Sequence, residues 1–348
     1  MKNVEIGLAN KKRIDEVDQL KGFSIFTIVL MHFIQMIPGV PPSLARLSTI
    51  GGTGVHVFFL CSGIGLYLSY LNKKNSFFEF MKKRFLKIYI PYIIVVIVSF
   101  FIPWMYEGED RVAALLSHIF LYKMFIPGYD ASFGGQFWFI STIFQFYLVF
   151  IPMCRIKEKL KKNSYFIALF MAVSVLWWFY CWSAQVTEIR VFSSCFLQYI
   201  WEFSIGMAIA DSLYQGKAYS IKPLFLAATA LVGTGLQAMM AMKSETLKVF
   251  NDIPALIGYT SLALLLMMMP MIKTVTKRIS TISYELFLTH ILVISSILHF
   301  FTFEGLAAQG LCLAVSITIA VSVAYVYHIL IGRIYRITNR YAVDTGES

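Results

Sequence analysis

The chain has 348 residues, of which 58% are hydrophobic and only 14% are charged, and its mean hydropathy is +0.69. Soluble domains carry about 25% charged residues, so this composition excludes a soluble globular protein and indicates one that crosses a membrane several times. The net charge of +11 raises nucleic acid as a partner, but the distribution of the basic residues argues against it. The scattered cysteines Cys61, Cys154, Cys181, Cys195 and Cys312 show neither disulfide nor metal-ligand spacing, and no metal is expected.

Apolar runs long enough to cross a bilayer recur along the whole chain, and no cleavable signal peptide precedes the first of them. They lie at residues 20–38, 51–71, 88–106, 133–154, 164–184, 191–211, 223–242, 253–272, 280–301 and 311–332. The expected fold is all-α: a polytopic membrane helical bundle of about ten transmembrane helices plus an interfacial helix. It forms a single domain over residues 1–348, with a cytosolic lead-in at 1–19 and a cytosolic tail at 333–348.

Basic residues are concentrated in alternate loops. If the N-terminus is cytoplasmic, the outer loops hold only six of the 30 lysine and arginine residues: Arg46, Arg111, Lys123, Arg190, Lys243 and Lys248. This bias follows the positive-inside rule and predicts that both termini are cytoplasmic. The basic charge therefore requires no nucleic-acid partner.

Residues 112–126 form an apolar segment that is short for a span and contains His118 and Lys123. If this segment crossed the membrane, every later loop would change sides and the charge bias would reverse. We therefore expect an interfacial helix on the outer face, beside the glycine-rich stretch 128–136.

The first candidate site residues lie in the stretch from Arg13 to His32, which leads from a charged segment into the first apolar run. Lys21 and His32 share one face of a helix and are about 16 Å apart along its axis. An ionisable group inside a membrane helix is costly and is a functional candidate. Considered separately, each residue has a structural explanation: the Lys21 side chain can reach lipid headgroups, and His32 can form a hydrogen bond with another helix. Their common face favours a site.

The loop between the second and third runs is the densest cationic stretch on the inner side. Arg84 and Lys87 lie three residues apart and share a face where the third helix begins. Topology and contact with anionic lipids explain such a loop. A clamp for phosphate groups explains it as well, but a clamp must converge with Lys21.

Other polar residues in apolar surroundings are candidates for lining a site: Asp18, His56, Ser62, Gln136, Trp138, Glu202, Glu285 and His290. Buried carboxylates require a partner or a raised pKa. The glycines around Ser62 equally indicate helix packing, and Trp138 is equally an aromatic residue of the membrane interface. At the outer mouth, Gln136 and the ring of Trp138 are candidates for holding an acceptor. His299 and His328, nearer the helix ends, read as interface residues.

Five segments resemble, in this order, the successive signatures of the acyltransferase-3 family of membrane O-acyltransferases: RIDEVDQLKGFSIFTIVLMH, GVHVFFLCSGIGL, KKRFLKIYIPY, FWFISTIFQFYLVFIP and SYELFLTH. The resemblance covers residues 13–292. Lys21 and His32 match the family's pattern of a basic residue, ten others and a histidine. Arg84 and Lys87 resemble its basic pair, with lysine where arginine is common. Many glycan-modifying members have acids at the positions of His56, Ile143 and Phe144, so no subgroup is assigned.

The resemblance implies a cytosolic acyl-CoA donor, usually acetyl-CoA, whose phosphates bind Lys21, Arg84 and Lys87. It implies that His32 acts on the hydroxyl of an extracytoplasmic acceptor such as a cell-surface polysaccharide or its lipid-linked precursor. We expect no permanently bound cofactor. We expect contact with membrane lipids and a location in the bacterial cell (inner) membrane. A homo-oligomer is compatible with the sequence. The alternative function is a proton-coupled transporter or flippase of a lipid-linked or acidic solute, in which His32, Glu202 and Glu285 form a proton relay.

Overall fold

The computed structural model describes residues 3–8, 14–243 and 250–344, and about 80% of it is helical. The first helices are α1 (Asp15–Met36), α2 (Pro42–Ser48), α3 (Gly54–Asn72), α4 (Phe77–Arg84), α5 (Ile90–Phe100), α6 (Arg111–Ile119), α7 (Trp138–Lys159) and α8 (Asn163–Ser183). The others are α9 (Arg190–Ser193), α10 (Phe196–Tyr214), α11 (Pro223–Lys243), α12 (Asp252–Leu266), α13 (Pro270–Ser280), α14 (Ser283–Phe300) and α15 (Leu306–Asp344). Two short strands, β1 (Val4–Ile6) and β2 (Tyr219–Ile221), pair antiparallel. Five of the 30 basic residues counted for the topology prediction lie outside the described residues: Lys2, Lys11, Lys12, Arg13 and Lys248.

A helix coincides with every predicted transmembrane run, which confirms the all-α membrane bundle. Within the described ranges, seven helices are long and apolar enough to cross a membrane, or eight if α12 and α13 are taken as one broken span. The predicted span 253–272 was too long, because α12 ends at Leu266 and the chain bends by 115° between α12 and α13. The chain breaks there because Pro270 disfavours helical geometry at the residue before it. The predicted tail from residue 333 is helical, since α15 continues to Asp344.

Residues 112–126 form a short helix, α6, and a single 3₁₀ turn at Lys123–Phe125, and neither is long enough to span a membrane. His118 and Lys123 are buried inside the protein, whereas the apolar side chains of Val112, Leu116 and Phe120 are exposed, which is compatible with an interfacial helix. The Lys123 ammonium donates to the carbonyl of Gly134 (3.0 Å), and His118 Nε2 lies 2.9 Å from Ser132 Oγ. Burial lowers the pKa of Lys123 to about 7. These contacts tie the 128–136 stretch to the bundle.

Two glycines allow α3 and α10 to pack at backbone contact. A Cβ atom added at Gly63 would lie 2.2 Å from the carbonyl oxygen of Phe203, and one added at Gly206 would lie 2.2 Å from that of Leu60. Small residues are the usual means by which membrane helices approach closely. The packing interpretation of the glycines near Ser62 therefore holds for Gly63.

The Gly63→Ala variant is expected to unfold at a clearly lower temperature, because its new methyl group overlaps Phe203 backbone and overpacking costs about 1–3 kcal/mol. The matched control is Gly65→Ala, two residues along the same helix, where an added Cβ has open space. Thermal unfolding of the detergent-solubilised variants measures the difference. Equal midpoints for the two variants would show that this helix contact is not tight.

The helix that carries Arg84 and Lys87 is irregular where they occur. A π turn at Phe85–Tyr89 joins α4 to α5, and Pro91 has no N–H to donate to the Lys87 carbonyl four residues earlier. Three tyrosine hydroxyls satisfy the carbonyls of this segment: Tyr335 donates to Leu86 (2.8 Å) and Lys87 (3.4 Å), Tyr284 to Ile88 (2.6 Å) and Tyr327 to Pro91 (2.6 Å). The π turn is thus held by α14 and α15, and π turns are frequent at functional sites.

Candidate active site

A cavity of about 430 Å³ opens at the end of the bundle where α1, α5 and α14 begin, which we call the basic end. Its polar lining includes Asp18, Lys21, Cys61, Ser62, Arg84, Lys87, Tyr147, Ser280, Ser283 and Tyr284. The structure thus brings Lys21 of α1 together with Arg84 and Lys87 of the α4–α5 segment, as a phosphate clamp requires. Of the candidates from sequence, Asp18 and Ser62 also line this cavity.

The basic end of the cavity is electropositive. The cavity lining holds three cationic side chains and one carboxylate, that of Asp18, whose Oδ1 lies 3.9 Å from Lys21 Nζ. The carboxylate of Glu285, which is not part of the lining, also attracts Lys87. Burial lowers the pKa of Arg84, and burial together with repulsion from Arg84 and Lys21 lowers the pKa of Lys87. A bound anion would relieve this repulsion. Ser283 and Tyr284 place the N-terminus of α14 at the same cavity, and helix N-termini favour anions.

The cavity runs deep into the bundle. On α3 its lining extends from Leu66 to Val55, about 16 Å along the helix axis. The deep end is lined by Ile28, Phe139 and Phe287, and the two phenylalanine ring centroids are 5.3 Å apart. His32 lies on α1 one turn beyond Ile28 and does not itself line the cavity.

His32 pairs with His290 of α14, and their hydrogen bonds define the tautomer of each ring. His290 Nδ1 lies 3.0 Å and 2.9 Å from the carbonyl oxygens of Leu286 and Phe287. A carbonyl only accepts, so Nδ1 of His290 carries a proton and its Nε2, in the neutral ring, is an acceptor. His32 Nδ1 therefore donates to His290 Nε2, 2.9 Å away. Among the described residues nothing donates to Nε2 of His32, so its lone pair is available, which is the state required of a general base.

A second polar cluster joins α3, α10 and α12. His56 Nδ1 lies 2.5 Å from Glu202 Oε1, and His56 Nε2 lies 3.7 Å from Asp252 Oδ1. Gln198 Nε2 donates to the other oxygen of Asp252 at 2.7 Å. His56 and Glu202 are thus partners of each other and line no part of the basic cavity.

The remaining predicted residues lie elsewhere. Gln136 is buried and donates to the Leu288 carbonyl at 3.4 Å. Trp138 stacks with the ring of Tyr199 and also contacts the guanidinium of Arg190. Glu285 Oε1 lies 2.9 Å from His328 Nδ1, and the His328 side chain is still 47% exposed, which is compatible with the interface position expected of it. His299 is exposed and stacks on Trp104 with ring centroids 4.2 Å apart.

Sequence reasoning missed two partners. His290 was a candidate for lining the site, but nothing in the sequence linked it to His32. Asp252 was not among the candidate site residues, because it begins a helix after an outer loop, a position where a carboxylate is ordinary. No local signal marks either pairing, because the partners lie far apart in the chain.

The fold and the cavity together define a helical membrane protein with a long cavity that is cationic at one end. A family model described as "Acyltransferase domain" (Acyl_transf_3) matches residues 14–327, and the chain belongs to this family. The resemblance noted in the sequence is thereby confirmed. A curated relative, "Acyltransferase MdmB" of Streptomyces mycarofaciens, is 23% identical over 287 residues, which cover 72% of this chain and 70% of the relative. No solved structure matches the chain. Family and relative support an acyltransferase activity.

Proposed function

We propose that this protein transfers an acyl group, most simply acetyl, from cytosolic acyl-CoA to a hydroxyl of an extracytoplasmic acceptor, a cell-surface polysaccharide or its lipid-linked precursor. One observation carries the proposal: Lys21, Arg84 and Lys87 meet at the mouth of a cavity that ends one helical turn below the His32–His290 pair. Such a cavity suits a donor with phosphates at one end and a thioester on a long, uncharged arm.

The orientation in the membrane follows from the charge of the loops. The positive-inside bias assigns the basic end to the cytosol, the compartment that supplies acyl-CoA, and both termini to the same side. Guanidinium and ammonium groups bind phosphate oxygens through charge-assisted hydrogen bonds. We assign Lys21, Arg84 and Lys87 to this role, with anionic lipid as the competing ligand.

The chemistry is assigned to His32. Its Nε2 takes the proton from the acceptor hydroxyl as the hydroxyl oxygen attacks the thioester carbonyl carbon. The carbon–sulfur bond then breaks, and the leaving thiolate takes the proton from the imidazolium, so that an ester and free CoA result. The same lone pair would serve a route through a transient acyl-imidazole. His290 is a positioning residue, because it holds His32 in the tautomer whose Nε2 is basic.

The deep end of the cavity must open for this reaction. Phe287 lies one turn before His290 on α14, and the ring centroids of these two residues are 6.3 Å apart. Phe287 therefore stands between the deep end of the cavity and the histidine pair, and we assign the opening to movement of its ring away from Phe139. The thioester is expected to enter at this point.

The transporter alternative requires a continuous relay through His32, Glu202 and Glu285. In the described part of the chain these residues belong to three separate pairs: His32 with His290, Glu202 with His56, and Glu285 with His328. The geometry therefore favours a transferase over a proton-coupled transporter or flippase.

The test uses membranes that contain the protein, incubated with acyl-CoA labelled in its acetyl group. We expect label to appear in the lipid-linked or polysaccharide fraction, in proportion to the amount of protein. Label transferred equally by membranes without the protein would contradict the proposal. Proton-coupled uptake of an acidic solute without transfer of label would favour the transporter instead.

A further inference from the structure

His56, Glu202 and Asp252 form a group whose ligand atoms all lie within 4.8 Å of one another. They come from three helices, α3, α10 and α12, and they lie outside the basic cavity. We propose that this group binds a divalent metal ion of the Zn²⁺ type. The proposal is independent of the acyl-transfer chemistry assigned to His32.

The first argument is charge. Glu202 is fully buried and Asp252 is 8% exposed, so two carboxylates share an interior site with one imidazole. With both carboxylates ionised, the group carries a net negative charge even when His56 is protonated, and an uncompensated buried charge is costly. Among the described residues no lysine or arginine pairs with either carboxylate. A divalent cation on neutral His56 would balance both charges.

The second argument is an unsatisfied atom. Glu202 Oε1 contacts His56, but Glu202 Oε2 is buried and, within the described residues, has no hydrogen-bond partner. The two oxygens of a carboxylate share one carbon atom, so Oε2 lies beside the contact between Oε1 and His56 Nδ1. A buried polar atom without a partner requires an explanation, and a metal ion at this position supplies one.

The third argument is the chemistry and spacing of the ligands. One imidazole nitrogen and two carboxylate oxygens are ligands typical of zinc. The 3.7 Å between His56 Nε2 and Asp252 Oδ1 is close to the separation of about 3.3–3.6 Å expected for two ligands of one tetrahedral zinc ion. Gln198 holds the other oxygen of Asp252 (2.7 Å), and such support of a ligating carboxylate is common at metal sites.

The fourth argument is access. The side chain of His56 is 15% exposed, so the group is not completely enclosed by the bundle. Three protein ligands would leave one coordination position open. The bound ion would also link α3, α10 and α12, and it should therefore stabilise the folded protein.

The test uses full-length protein, purified in detergent without a histidine tag, stripped with EDTA and then given Zn²⁺ before desalting. We expect about one zinc per chain by elemental analysis and a rise of roughly 5 °C in the unfolding midpoint at saturating Zn²⁺, reversed by EDTA. Glu202→Gln keeps the shape and removes a charge, and it should lose both effects. The control His299→Ala removes an exposed imidazole and should keep both.

Two results would overturn the proposal. One is wild-type protein that retains no zinc and shows no rise in midpoint. The other is an equal zinc content and rise in Glu202→Gln, which would place the ion elsewhere. If Glu202→Gln does not fold, Asp252→Asn takes its place. A second measurement compares two metals on the wild-type protein: an unfolding midpoint that Zn²⁺ raises and Mg²⁺ leaves unchanged supports a site with one nitrogen and two oxygen ligands.

Discussion

Replacement of His32 by alanine should lower kcat for acyl transfer by about 10²–10⁴-fold, the usual contribution of a positioned general base. The KM for acyl-CoA should change little, because His32 lies one turn beyond the cavity that holds the donor. Steady-state transfer of a labelled acyl group by purified, reconstituted protein measures both constants. His299→Ala is the matched control, since that imidazole is exposed and stacked on Trp104, and it should retain full activity.

The role of His290 is separated by comparing two variants. His290→Gln provides an amide oxygen that can accept the hydrogen bond from His32 Nδ1, whereas His290→Leu cannot. We expect the glutamine variant to retain more of kcat than the leucine variant, with KM nearly unchanged in both. A purely structural role would lower activity in proportion to the loss of folded protein in both variants. Full activity of His32→Ala would exclude the mechanism altogether.

The second large effect is expected at the basic end. Lys21→Ala and Arg84→Ala should each raise the KM for acyl-CoA by about 10–100-fold, because a charge-assisted hydrogen bond contributes about 1.5–3 kcal/mol. The effect should be larger at low ionic strength, where screening is weaker. Lys82→Ala is the control: Lys82 is an exposed cation on α4, two residues before Arg84, and it does not line the cavity.

A second donor distinguishes phosphate binding from other roles. Acyl-pantetheine has the same thioester arm as acyl-CoA but no phosphate. Wild-type protein should use it poorly, and Lys21→Ala and Arg84→Ala should use it about as well as the wild type does. Equal losses with both donors would show that the cations support the fold or the chemistry. Assays in neutral and in anionic lipid test the competing assignment, because a lipid-binding role predicts that the defects depend on lipid charge.

The three cations at the basic end of the cavity show how much of the site local sequence patterns can predict. Local features, a helix repeat and a loop boundary, made Lys21, Arg84 and Lys87 candidates, and their joint assignment to acyl-CoA came from the family resemblance. The cavity adds Asp18, Ser62 and the N-terminus of α14 to them. The irregular π turn beneath Arg84 was not predicted, since it depends on Tyr284, Tyr327 and Tyr335, which are distant in sequence.

The sequence alone determined that this protein is a helical membrane bundle, because hydropathy and loop charge are summed over neighbouring residues and need no partner. It also identified His32 and the three cations as candidates, since an ionisable residue in an apolar run stands out locally. Only the tertiary structure decided which buried polar groups meet. His32 with His290, His56 with Glu202 and Asp252, and Glu285 with His328 are pairings between helices far apart in the chain. Their geometry depends on how whole helices pack, which no local pattern of charge or hydropathy encodes.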